Sequence, residues 1–185
     1  MGATGKFCGS LLDEGLLQKL RLNLGKYQGY DEAMDHKQIL EKYHSSAISF
    51  VEEGAKISAE GLTKSKDGEW SAAFVIHHIA DAEIQFGVRY ANALCEDDPT
   101  IVPFDEEKFP TGLQYNNRSV AVSLNSLAAS HAMNYEILKN ASDADWSRIS
   151  THPQRGAVTL LQLVTLSANH IEGHIDQLKL SLIHI

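Results

Sequence analysis

Residues 170–174 read His-Ile-Glu-Gly-His, which on a helix places two imidazoles one turn apart on the same face, where both can reach a single metal ion. Glu172 follows His170 by two positions, about 200° round a helix at about 100° per residue, so it cannot be the base of a His-Glu-x-x-His protease. Helix surfaces also produce a His-x-x-x-His pair by chance. Here, however, the two rings fall on or beside an apolar stripe, where unpaired imidazoles carry a desolvation cost unless something satisfies them. His78 and His131 each project from the apolar stripe of another predicted helix, and each taken alone is compatible with a hydrogen-bonded core histidine. His131 is also a candidate pocket-lining group or proton carrier. Asp81, one turn beyond His78, is a candidate to orient an imidazole or approach an ion, with solvated helix surface as the competing reading.

Four helices are expected to carry these side chains. The first is predicted from Asp31 to about Leu62, with Ile39, Tyr43, Ala47, Phe50 and Ile57 facing inward. The second begins at Trp70-Ser71, with Ser71 as N-cap and Trp70 able to pack on Val75, and runs to about Leu94 with Val75, His78, Ile79, Ala82 and Phe86 inward. Pro99, Pro103 and Pro110 exclude a continuous helix through 96–116, leaving a long crossover of the kind that often carries function. A third helix spans about 117–141, with Val120, Leu124, Leu127, His131, Asn134 or Tyr135, and Leu138 on its inner stripe. A turn-rich connection at 142–158 then leads to a fourth, about 159–182, opened by a Thr159/Gln162 capping box. Leu160, Leu163, Ser167, Ile171, His174 and Leu178 face inward there. The pattern predicts an all-α four-helix bundle at 31–185, preceded by a tail and short amphipathic extension at 1–30.

Bulk properties narrow the function. Twenty-four acidic against 16 basic residues give a formal charge of −8, which would repel a phosphate backbone, so nucleic acid is not an expected partner. The apolar runs are interrupted well short of the roughly 20 residues of a membrane span, and no membrane partner is expected. The first ten residues lack a secretory pattern, making the cytoplasm the expected location. Cys8 and Cys95 provide neither a disulfide framework nor a Cys-x-x-Cys pair. Nine histidines are a high count for 185 residues, and neutral imidazole is the commonest metal ligand.

The blocks Trp70-Ser71-Ala72-Ala73-Phe74-Val75-Ile76-His77-His78-Ile79-Ala80-Asp81-Ala82-Glu83, Thr151-His152-Pro153-Gln154-Arg155-Gly156-Ala157-Val158-Thr159-Leu160 and Asn169-His170-Ile171-Glu172-Gly173-His174-Ile175-Asp176-Gln177-Leu178 resemble the signature regions of the DinB/YfiT-like superfamily, across roughly residues 31–182. That resemblance implies an up-down-down-up bundle, frequently dimeric, with a divalent ion, zinc or nickel, at one end of the core. It implies His78, eight residues after Trp70, as a ligand in preference to His77, with His170 and His174 as the other two. It also implies a turn-stabilising role for the block containing His152 and Arg155, although Arg155 could bind an anionic group. Gly173 leaves room over the ion or permits close helix packing, and Gln177 is a candidate hydrogen-bonding group at the pocket mouth.

Three histidines leave a coordination position open, the arrangement of a catalytic rather than a structural zinc. The expected activity is that of a metal-dependent transferase or hydrolase activating a thiol or water against a small substrate, the thiol being of low molecular weight and the protein a homodimer. The competing expectation is a non-enzymatic, stress-associated metal-binding bundle.

Overall fold

The structure is a computed structural model, described here for residues 34–65 and 69–183; the expectations for the tail and extension at 1–30 lie outside the described residues. The first long helix, α1, runs His36–Lys56 behind a complete capping box, in which Asp35 accepts from the backbone of Lys37 and Gln38 while the Gln38 side chain accepts from Asp35 N. It does not continue to Leu62. Ile57 turns to extended backbone and Ser58 caps a separate short helix, α2 (Ala59–Thr63), because the Ser58 hydroxyl takes the Gly61 amide and stops α1 from propagating. Next, α3 (Ala72–Cys95) starts on the expected Ser71 cap. The crossover contains α4 (Phe109–Gly112) and a 3-10 turn at Tyr115–Asn117, and leads to α5 (Val120–Lys139). The last helix, α6 (Leu160–Ile183), opens on the Thr159/Gln162 capping box, with both reciprocal bonds formed at 2.9 and 3.2 Å.

Contacts between side chains give the direction of each helix. Lys42 meets Glu172, and Glu53 lies in the field of Lys179, so α1 and α6 run the same way. His77 meets Ser123, and Asn134 reaches Glu83, so α3 and α5 run parallel to each other. His44 meets His131 whereas Gly54 lies against Leu124, so α5 opposes α1. The order is therefore up-down-down-up. The long crossover exists because two consecutive parallel helices must be joined end to opposite end. Packing joins α1 to α5 and α6, and α3 to the same two, leaving α1 and α3 on a diagonal. The expected inward residues of α1 and α3 are buried, as are Leu127, His131, Asn134 and Leu138 of α5 and Leu160, Leu163, Ser167, Ile171 and Leu178 of α6; Val120, Leu124 and Tyr135 of α5 and His174 of α6 are only partly buried. No described helix is long and apolar enough to cross a membrane.

The connection before α6 holds a feature that periodicity did not reveal, an antiparallel hairpin of β1 (Ile149–His152) and β2 (Gly156–Thr159), paired from Ile149↔Thr159 to His152↔Gly156. Four-residue strands flanking a His-Pro turn are too short to show a reliable alternation. Gly156 sits at φ +74°, a conformation that glycine adopts without a Cβ penalty. Pro99–Ile101 lie along the outer side of β1: Ile101 N donates to Thr151 O at 2.9 Å, and Thr151 N donates to Pro99 O at 2.8 Å. Arg148 then ties the hairpin to the end of α3 through the carbonyls of Ala93 and Glu96, at 2.6 and 2.8 Å. The hairpin thus anchors the crossover.

Candidate metal centre

The first half of α3 and the middle of α6 bring His78, His170 and His174 together. Their Nε2 atoms point at one another: His170 Nε2 is 3.0 Å from His78 Nε2 and 3.2 Å from His174 Nε2. One potential ligand atom from each ring lies within 4.8 Å of the other two. A tetrahedral ion with bonds of about 2.0–2.1 Å sets its ligand nitrogens about 3.3–3.4 Å apart, close to the two separations that His170 Nε2 makes.

The protonation pattern fits the same purpose. Gln177 Oε1 lies 2.5 Å from His174 Nδ1 and can only accept, so Nδ1 carries the proton and Nε2 presents a lone pair to the cluster. With His174 Nε2 unprotonated, a proton on His170 Nε2 would be divided between two acceptors at 3.0 and 3.2 Å and could not give each converging nitrogen a full bond. A cation at their centre can. Burial keeps the rings neutral: His78 is pulled down to about 3, mainly by desolvation and secondarily by His174. Desolvation likewise holds His170 well below its ordinary value, with His174 and His78 adding to the effect, and lowers His174. Trp70 stands edge-on to His78 at 5.2 Å between ring centroids and fixes that ring by packing, since His78 Nδ1 is buried with no hydrogen-bond partner among the described residues. The side toward solvent is formed by partly exposed His174, exposed Gln177 and Gly173, where nothing lies within 4 Å of an added Cβ.

The neighbouring candidates are engaged elsewhere. His77 turns toward α5, with Nδ1 2.8 Å from Ser123 Oγ. Asp81 receives both guanidinium nitrogens of Arg118 at 2.8 Å and the Tyr115 hydroxyl at 2.7 Å, an arrangement that fastens the end of the crossover to α3. His131 is buried in a second polar cluster, tilted against the Tyr43 ring and stacked with His44, 3.1 Å from His44 through Nε2 and 3.6 Å from Glu83 through Nδ1. Glu83 in turn accepts from Tyr43 and from Asn134. Glu172 is exposed and pairs with Lys42 of α1, in keeping with its exclusion as a base. Sequence reasoning did not single out Glu106, on the crossover, whose Oε2 lies 3.8 Å from His78 Nε2. Desolvation raises its pKa, Arg89 and Arg155 oppose that rise, and Asp105 and Glu107 reinforce it. No spacing rule links a loop carboxylate to histidines on two distant helices.

Fold and cluster together define a four-helix bundle with a three-histidine centre suited to a divalent ion. The family model of the DinB superfamily matches residues 48–178, and the chain belongs to that superfamily. A Geobacillus thermodenitrificans protein named "Putative metal-dependent hydrolase" is 31% identical over 140 residues, covering 72% of this chain and 79% of its own. A protein of the same description from Oceanobacillus iheyensis is 29% identical over 61% of this chain. The chain spans 65% and 66% of the length of this relative and of a Bacillus mycoides one. Among solved structures, YfiT from Bacillus subtilis, described as "a probable metal-dependent hydrolase with an unusual four-helix bundle topology", superposes with a TM-score of 0.75 at 22% identity, covering 83% of this chain and 90% of its own. A mycothiol-dependent maleylpyruvate isomerase superposes with a TM-score of 0.67 at 13% identity, over 78% of this chain and 61% of that one.

Proposed function

We propose that the protein is a metal-dependent enzyme in which His78, His170 and His174 hold one divalent ion, zinc or nickel, and the open face accepts a water or a low-molecular-weight thiol for hydrolysis of, or S-transfer to, a small substrate. The observation that carries this reading is the convergence of three imidazole Nε2 atoms with solvent on one side. Bound there, the ion would lower the pKa of a water or thiol so that it becomes a nucleophile near neutral pH. The chain's own contribution is to hold the imidazoles unprotonated by burial, to set the tautomer of His174 through Gln177, and to keep Gly173 from narrowing the mouth. The names of the relatives favour hydrolysis, and the mycothiol-dependent neighbour favours a thiol. A homodimer is part of this reading on the family resemblance.

The test is metal analysis of wild type, His170→Ala and His174→Ala, joined to hydrolysis and thiol-transfer assays across common bacterial thiols. Wild type should carry about one ion per chain and both variants should lose it, together with turnover. At 100 times the dissociation constant, added metal should stabilise the wild type by about 2.7 kcal/mol, raising Tm by about 5–11 °C. Undiminished metal content in both variants would dispose of the site.

A further inference from the structure

The crossover brings one carboxylate to the histidine cluster. Glu106 Oε2 lies 3.8 Å from His78 Nε2, beyond hydrogen-bond length from that ring yet beside the point where the three nitrogens meet, and 56% of its side chain is exposed. It therefore stands on the solvent side of the centre. The loop that bears it is tied down on both flanks. Ile101 pairs with Thr151 of β1, Arg89 donates to Val102 O at 3.2 Å, and Phe104 lies 5.1 Å from the Phe109 ring with the Arg89 guanidinium 5.2 Å over it. Arg89 and Arg155 are the cations acting on the carboxylate, and Asp105 and Glu107 are its like-charged neighbours.

Three neutral imidazoles leave a divalent ion with its full charge, and such an ion attracts anions as readily as neutral ligands. A carboxylate beside the open face changes that preference, because it repels an incoming anion and offers a hydrogen-bond acceptor to a ligand that brings a proton. Resting on the metal-centre reading above, we propose that Glu106 faces the open coordination position, accepts a hydrogen bond from the neutral proton-bearing ligand that occupies it, water or thiol, and turns anions away. Glu106 is on this account a specificity-determining residue, set by the loop rather than by the bundle.

The test uses the full chain loaded with cobalt(II), whose visible absorption reports its coordination, in wild type, Glu106→Gln and His174→Ala. Cobalt affinity is measured by chelator competition and anion access by titration with azide. Glu106→Gln should still take about one cobalt per chain, with affinity lowered about 10–100-fold, and should bind azide at least tenfold more tightly than wild type. Azide affinity unchanged by Glu106→Gln overturns the inference, whatever the cobalt affinity does, while leaving the centre intact. Wild type that takes up no cobalt, or takes it up equally in His174→Ala, removes the centre itself and the inference with it.

Discussion

Acid should destabilise the metal-free protein through His78, and the size of the effect follows from burial. His78 is 1% exposed and its pKa is pulled from 6.5 to about 3. At pH 5 the unfolded chain then carries this proton in roughly 97% of molecules, whereas the folded state carries it in only about 1%. The unfolded state binds more protons, so stability falls with pH, beginning near 6.5 and continuing toward 3. Integrated to pH 5, this one group costs about 2 kcal/mol, and any folded-state value below about 4 gives nearly the same figure. The perturbation is His78→Leu, which removes the titration and keeps an apolar side chain against Trp70. The assay is urea unfolding followed by far-ultraviolet circular dichroism in the presence of chelator, at pH 7.5 and pH 5.0. Wild type should lose about 2 kcal/mol more than the variant between these two values, because the groups outside the cluster are common to both and His170 loses in the variant only the smallest of the causes that lower it, its desolvation and the influence of His174 remaining. Equal losses, within about 0.5 kcal/mol, would mean that the ring is protonated in the folded protein. The account of three neutral ligands would then be wrong.

Asp81→Asn should cost about 2 kcal/mol, below the usual figure for a fully buried pair because Arg118 is partly exposed, and should leave metal content unchanged; loss of metal at unaltered stability would put Asp81 at the centre instead. Gly87→Ala should destabilise by about 2 kcal/mol despite the better helix propensity of alanine, because its Cβ would fall 2.6 Å from Asn134 Oδ1. Asn134 is held in place by its bond to Glu83, and unchanged thermal unfolding would show that the cluster can give way.

Periodicity located the four helices because each must bury an apolar stripe, and a 3.6-residue period survives in the sequence wherever such a stripe exists. The starts of α3 and α6 were legible for a similar reason: Ser71, Thr159 and Gln162 act on backbone amides within three residues of themselves. The end of α1 was less so, since Ser58 had to be recognised as a new cap inside what looked like a continuing stripe. Within the centre, His170 and His174 could be paired from spacing because one helix carries both. Periodicity placed His78 on the inner stripe of its helix, but only the family resemblance made it a ligand rather than a hydrogen-bonded core histidine and set it above His77, which turns toward Ser123.

Local order along the chain thus determined the helices, their caps and one chelating pair, all of them consequences of interactions spanning a single turn. Only tertiary packing decided which histidine of α3 meets that pair, how Asp81 is engaged by Arg118 and Tyr115, why His131 sits with Glu83, and that Glu106 arrives beside His78. Those outcomes depend on the register between helices far apart in sequence and on a crossover held by a short hairpin. Both are set by the fit of whole surfaces rather than by the spacing of any few residues.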